Sequence, residues 1–439
     1  MHVAFCIAPF PGHVNPSLAL VSQLARRGHR VSYATTSTFA AAAGDAGAHP
    51  VVYHGAGTQL SGPVRSPRSG DDAGEAAPAR LPPARGRDGP VPLTPWPDFT
   101  QGLGYQLVEL RASLPVLIPA FASAPPDAVV CDPMSWTGRA LAARYAVPVI
   151  NSVTSLVGRT RSAFGSYRVG FDPADPVLPR VLASISAVLA RYGTGLSAGQ
   201  LLGADREIPV IAHHPRAFEA QGEEFEPAVH FVGPCLSSRP GRPGGGAPWQ
   251  PPGDRPVILV SLGTVFNRQP ELFRHCIDAL AELSCHVVAA LGGMDTRTLG
   301  PLPPNAQAYD HVPLPEVLRH ADVFVGHAGM TSVMEALSFG VPIVAVPQTP
   351  EQRLTAGRLT DLGLGICLEA GTLTPEGLRQ AVSTLTRDTG FRSRLAWMRA
   401  EIDRAPGAAG AADVIQDAVS ASHHDHPARM RLAPEADRQ

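Results

Sequence analysis

Between residues 237 and 256 the chain carries Arg-Pro-Gly-Gly-Gly-Ala-Pro and Gln-Pro-Pro-Gly, a density of Pro and Gly that reads as an interdomain linker. The flanks of this window constrain the fold most, because both repeat one alternation: a short apolar run, a loop, a helical segment, another apolar run. Residues 3–8 close on Pro9-Phe10-Pro11-Gly12. Asn15 and Pro16 read as the cap and first-turn residue of a helix whose Leu18, Val21 and Leu24 share a face. Gly28 ends it, and Arg30–Thr35 is the next strand. Ala128–Cys131, 147–150, 208–212 and 229–232 are further strands, with a helix at 135–145 and helical pieces in 157–200. Beyond the linker come strands at Val257–Ser261, 286–291, 323–325 and 343–346, and helices at 271–283, 332–338, 353–361, 375–385 and 391–402. Each flank is therefore expected to be a doubly wound α/β half with a parallel sheet, ligands binding beyond the carboxyl ends of its strands. Residues 55–100, rich in Pro, Gly, Ala, Arg and Asp, are expected to form a long mobile loop, and 422–439 a disordered tail.

Composition narrows the chemistry. A length of 439 residues suits two large α/β domains, and 44% hydrophobic with 17% charged residues argues against global disorder. The formal net charge of −2 gives no reason to expect nucleic acid or an anionic membrane as partner. The chain has no lysine: all 36 cationic side chains are arginine, which excludes Schiff-base enzymes and lysine-bearing phosphate loops. Cysteines stand at 6, 131, 235, 276, 285 and 367 without a Cys-x-x-Cys pair, so zinc and dithiol chemistry are not expected. The N-terminus lacks the basic region and long apolar run of a signal peptide, and no apolar stretch reaches the ~20 residues that span a bilayer. A soluble cytoplasmic protein is the expectation.

Three segments carry candidate chemistry. His13 follows the first strand at a glycine turn, where an imidazole of pKa ~6.5 suits a general base. One histidine among 16 in such a place is more often a loop or capping residue. Asp132, ending the strand Ala128–Cys131, changes that balance, since adjacent parallel strands bring their ends together and a carboxylate there can orient the ring. The strongest segment is Phe324-Val-Gly-His327-Ala-Gly329-Met330-Thr331-Ser332-Val-Met-Glu335, a strand running into a Gly-x-x-Gly turn and a helix. Unpaired N–H groups at that helix start suit a phosphate. His327 can donate to a diphosphate, and Glu335 can accept both hydroxyls of a ribose. Any of these taken singly is better read as a tight strand-to-helix turn with a solvated Glu. Glu351 and Gln352, after the strand at 343–346, can hold sugar hydroxyls or simply open a helix. Ser261-Leu-Gly263-Thr264 allows close backbone approach to phosphate. Asp-x-Asp is absent, so no metal and no cofactor is expected.

These residues resemble the nucleotide-sugar-dependent glycosyltransferases of the GT-B fold, family 1, in particular the bacterial macrolide-glucosylating branch. The resemblance runs over nearly the whole chain and is carried by Pro-Gly-His13-Val-Asn-Pro, Asp132-Pro-Met-Ser-Trp, His327-Ala-Gly-Met-Thr-Ser-Val-Met-Glu335 and Val-Pro-Gln-Thr-Pro-Glu351-Gln352. It implies an acceptor-binding domain over 1–236, the linker, a nucleotide-sugar domain over 257–405 and a helix at 406–421 crossing back to the first domain. It implies His13 as base with Asp132 as its partner; His327, Gly329, Met330, Thr331, Ser332 and Thr264 at the diphosphate; Glu335 at the ribose; Glu351 and Gln352 at the sugar; and Phe10, Ser135 and Trp136 at the acceptor. The nucleobase falls to His311 and Val312, where many members have Trp-x-Pro-Gln and this chain has His311-Val-Pro-Leu314.

The expected partners are a UDP-sugar, most simply UDP-glucose and with dTDP-sugars as the rival, and a hydrophobic acceptor such as a macrolide, an ansamycin or a flavonoid or other phenolic. The expected reaction is inverting and metal-independent. A nicotinamide oxidoreductase would share the architecture, but the first turn lacks Gly-x-Gly-x-x-Gly. A nucleotide-sugar epimerase and a non-catalytic polyketide-binding protein compete with the transferase. The oligomeric state is not readable from the sequence.

Overall fold

A computed structural model describes residues 1–55, 99–157, 172, 174–202, 208–219, 228–236, 249–264 and 269–425. The expected loop at 55–100 and tail at 422–439 therefore fall mostly outside the described residues, as does 237–248 of the linker window. Residues 422–425 are helical.

The apolar runs are strands of two parallel sheets. The first sheet uses β1 (His2–Cys6), β2 (Arg30–Thr35), β3 (His49–Val52), β4 (Ala128–Cys131), β5 (Val149–Val153), β6 (Val210–Ala212) and β7 (Val229–Phe231), in the order β3-β2-β1-β4-β5-β6-β7. The second uses β8 (Val257–Ser261), β9 (His286–Ala290), β10 (Ala306–Tyr309), β11 (Ala321–Gly326), β12 (Ile343–Ala345) and β13 (Gly365–Cys367), in the order β10-β9-β8-β11-β12-β13. Helices cover the sheets, so β1, β4 and β8 are buried at every residue and read as unbroken apolar runs. Each sheet reverses its winding between its first strand and its fourth. The register pairs Cys6 with Cys131 in one and Ser261 with Gly326 in the other. Such switch points open a crevice at the carboxyl edge of a sheet.

Among the described residues up to β5, the helices are α1 (Pro11–Arg26), α2 (Ser37–Asp45), α3 (Phe99–Ala122) and α4 (Trp136–Tyr145). The expected start of α1 at Asn15-Pro16 is corrected. Pro11 opens the helix behind Phe10, and Pro16 sits inside it. Pro fits a first turn because its missing N–H would have no intrahelical partner there. The 24-residue α3 occupies a stretch to which the sequence analysis assigns no element, and it runs on through Pro115 and Pro119. Its buried Leu103, Leu110, Leu114, Leu117 and Phe121 form a helical stripe whose burial outweighs them. The strand expected at 147–150 lies at Val149–Val153, because Ala146 closes α4 in a left-handed conformation (φ 53°).

The remaining helices are α5 (Leu178–Arg191), α6 (Ala198–Leu202), α7 (Pro270–Ala281), α8 (Leu314–Leu318), α9 (Met330–Ser338), α10 (Pro350–Asp361), α11 (Pro375–Arg387), α12 (Thr389–Arg404) and α13 (Gly407–Asp425). The last returns to the first sheet. Ala411, Ala412, Ile415 and Val419 join the core made by Leu20, Val21 and Leu24 of α1, and the Gly407 N–H donates to the Val232 carbonyl at 2.7 Å. Arg27 of α1 binds Asp413 at 2.6 Å, the Ala409 carbonyl at 3.0 Å and Gln416. Among the described residues, no helix is long and apolar enough to cross a membrane.

Candidate active site

The crevice of the first sheet brings His13 and Asp132 together. Residues 7–10 leave the carboxyl edge of β1, Phe10 takes an extended conformation, and its carbonyl accepts from the His13 and Val14 N–H groups, both at 2.9 Å. His13 is thus in the first turn of α1 rather than in the loop before it. Asp132 follows β4 directly. It is 2% exposed, and its Oδ1 accepts from the Met134 N–H at 2.7 Å. His13 Nδ1 donates to Asp132 Oδ2, which fixes the tautomer and leaves Nε2 to take a proton. Burial pushes the His13 pKa down, but the charge and hydrogen bond of Asp132, with the charge of Glu351, more than offset it and leave the ring raised. Glu351 opens α10 in the other half of the molecule, so its effect on His13 joins the two halves electrostatically.

His213 lies outside the sequence-derived candidates. It follows β6, is 3% exposed, and its Nε2 lies 2.8 Å from Ser152 Oγ on β5. Burial, then the charge of His214 and that of His13, hold it at about 4 despite Asp132, so it is neutral in working conditions. Its position just past a short apolar run is the signal that could have marked it.

In the second sheet, His327 and Gly329 form the turn from β11 into α9. Ala328 between them has φ 62°, a strained conformation for a residue with a side chain. The His327 ring is clasped by glycines. A Cβ built at Gly263 would stand 2.7 Å from its Cε1, and one at Gly329 2.5 Å from its Nε2. Burial lowers the His327 pKa to about 4, a hydrogen bond to the Ser261 backbone opposing it, so the ring is neutral. Its Nδ1 is buried and lacks a partner among the described residues. The first-turn N–H groups of α9 lie beside it, where helix geometry leaves them for an anion. Burial raises the Glu335 carboxyl to about 7.

Several expected site residues take narrower places. Met330 is in the core, so only its backbone can face a diphosphate. Thr331 Oγ1 donates to the Gly12 carbonyl at 2.8 Å, across the cleft, which commits that hydroxyl to α1. Ser332 is half-buried in the first turn of α9, and Thr264 is exposed past β8. His311 is exposed past β10, 3.3 Å from where a Gly293 Cβ would stand, and Val312 packs on the core. Gln352 is 6% exposed and its Oε1 accepts from the Gln348 N–H at 2.8 Å, leaving its Nε2 to offer a sugar.

On the acceptor side, Phe10 meets the His13 ring edge-on at 5.9 Å. With Tyr53, Tyr105 and Glu109, Ser135 and Met134 line a narrow cleft whose room of about 10 Å³ is that of a single water. Trp136 is a correction. It is 0% exposed, packed with Leu110 and Leu114, so an acceptor cannot reach it.

Two doubly wound parallel-sheet halves with facing switch points define the GT-B class of glycosyltransferases, and known proteins agree. A solved structure of the calicheamicin glycosyltransferase CalG4 superposes with a TM-score of 0.75 at 34% identity, covering 99% of both chains. The kitacinnamycin glycosyltransferase gives 0.74 at 30%, covering 95% of this chain and 98% of the other. Residues 274–419 match the family described as erythromycin biosynthesis protein CIII-like, C-terminal domain. Demethyllactenocin mycarosyltransferase of Streptomyces fradiae is 37% identical over 423 residues, 95% of this chain and 87% of the relative. Oleandomycin glycosyltransferase of Streptomyces antibioticus is 32% identical over 436 residues, 96% of this chain and 92% of the relative. The chain belongs to this family of natural-product glycosyltransferases, which join a nucleotide-sugar donor to a natural-product acceptor.

Proposed function

We propose that the protein transfers a hexose, glucose from UDP-glucose in the first reading, to a hydroxyl of a hydrophobic polyketide such as a macrolide, with inversion and without a metal ion. The observation that carries this is the His13–Asp132 pair facing, across one cleft, a helix start and a neutral buried histidine. An acceptor O–H gives its proton to His13 Nε2 as its oxygen bonds the anomeric carbon, and Asp132 stabilises the imidazolium. The bond from that carbon to the diphosphate breaks, and its electron pair stays on the leaving nucleotide. The N–H groups of residues 330–332 and His327 meet the charge that develops there. One displacement by this base inverts the anomeric centre. Glu335 suits a ribose with two hydroxyls, and Glu351 suits the sugar because its charge is felt at His13.

A second reading is transfer of a deoxyhexose from a dTDP donor; the mycarosyltransferase relative, named for the mycarosyl group it transfers, supports the sugar in that reading. The test offers UDP-glucose and dTDP-sugars with a panel of macrolides, ansamycins and phenolics. It reads nucleotide release and product mass, with chelator present and absent. A gain of one hexose from UDP-glucose, unaffected by chelator, with the anomeric configuration reversed by NMR, is expected. Transfer only from dTDP-deoxyhexoses moves the donor assignment to the second reading. Nucleotide-sugar turnover without acceptor overturns the transfer reading.

A further inference from the structure

Pro16 stands inside α1, one turn after Gly12. In an α-helix the Gly12 carbonyl would accept the N–H of residue 16, and a proline has none. A proline ring also crowds the carbonyl one turn before it, which tilts that carbonyl off the helix. The carbonyl so released meets the other half of the molecule. Thr331 Oγ1, in the first turn of α9, donates to it at 2.8 Å, 319 positions away in sequence. Gly12 is the neighbour of His13. Thr331 lies between Met330 and Ser332, and the N–H groups of all three face the leaving diphosphate in the transfer reading. One hydrogen bond therefore ties the turn that carries the base to the turn that receives the leaving group. Elsewhere the halves are joined by Arg358 of α10, which donates to the carbonyls of Phe218 at 2.9 Å, Glu219 at 3.2 Å and Ala217 at 3.3 Å. Those bonds grip the segment past β6, not α1.

We propose that Thr331 is a positioning residue: its hydroxyl, received by the Gly12 carbonyl that Pro16 leaves free, sets His13 at the right distance from the leaving diphosphate. The chemical consequence rests on the transfer reading, but the bond itself can be measured without transfer. An in-line displacement needs base, anomeric carbon and leaving group in one alignment, and a small misplacement lowers the rate steeply. The diphosphate keeps the N–H groups of residues 330–332 whether or not the hydroxyl is there, so the loss falls on kcat and spares nucleotide affinity.

T331V is expected to lower kcat about 5- to 50-fold with the Kd of UDP or dTDP, whichever binds, within about twofold of wild type by calorimetry. T331S should restore kcat to within about threefold. P16A supplies an N–H that bonds the Gly12 carbonyl inside α1, so kcat should fall although Thr331 is intact; it serves also if T331V does not fold. Because both changes act on one bond, the double variant should lose no more than about twice the larger single loss. Without transfer, the nucleotide should slow amide hydrogen exchange of residues 10–15 in the wild type and not in T331V. An unchanged kcat in T331V, additive losses in the double variant, or a nucleotide Kd raised about tenfold with kcat kept overturns the proposal. So does exchange protection of residues 10–15 that is absent from the wild type or survives in T331V. Protection lost in T331V, with no sugar transferred by the wild type from any donor, keeps the bond between the halves and overturns the transfer reading instead.

Discussion

The crevice between β1 and β4 and the crevice between β8 and β11 are the same place in two sheets, yet they are equipped for opposite tasks. In the first, an imidazole enters from the β1 side and a carboxylate from the β4 side. In the second, a glycine loop enters from the β8 side and an imidazole from the β11 side. Both rings are crowded, and burial lowers the pKa of each. His13 ends raised because Asp132 is bonded to it, while His327, with only a backbone partner, falls to about 4. Topology thus decides where a polar group can stand, and one neighbouring carboxylate decides whether it moves protons or greets an anion as a neutral donor.

The comparison breaks first at His13. H13A is expected to lose roughly 10²–10⁴-fold in kcat with donor affinity retained. Near-normal kcat with intact nucleotide binding would remove His13 as the base. D132N sharpens the point. Activity should drop on the order of 10²-fold, and the acidic limb of the pH–rate profile should move to lower pH. The sign follows from the pair: the base works when deprotonated, Asp132 raises its pKa, and without that carboxylate burial alone acts on it. In the second crevice H327A should cost roughly 10–150-fold in donor kcat/KM, the equivalent of one hydrogen bond to a charged group. A loss confined to acceptor KM would sink that assignment.

Glu335 should give donor binding a pH dependence of its own. Held at about 7, it is protonated below that pH and then accepts fewer ribose hydroxyls, so donor KM should rise as pH falls through 7. In E335Q that rise should be flat. The smallest effect is at Ala328. A328G should stabilise the protein by roughly 0.5–1 kcal/mol, because glycine accepts φ 62° without the side-chain cost and gives back part of the gain in the unfolded chain. Thermal melting reads it, and a fall in stability would show that the turn is not strained.

Much of this is legible in the residue order. Buried parallel strands are continuous apolar runs, so β1, β4, β8 and β11 declare themselves, and the polar residues just past them become candidates. The helix α3 hides behind Pro115 and Pro119, because propensity speaks against them and only tertiary burial speaks for them. Trp136 lies next to the cleft in sequence yet points into the core, a choice made by the Leu110 and Leu114 stripe of that helix. Glu109 escapes notice for the same reason, since its setting is made by Tyr53, far away in sequence, together with Tyr105 one helical turn before it. His213, just past β6, is open to the same rule that marks Asp132 past β4.

The return of α13 to α1 bears on biosynthesis. Ile415 and Val419 complete the packing around Leu20 and Leu24, nearly four hundred residues earlier. On the ribosome the amino-terminal lobe must therefore wait, its apolar flank uncovered, until the second lobe has been made and the last turns have emerged. A stop codon just before Gly407 would leave that flank bare, and chaperones would meet the nascent chain there.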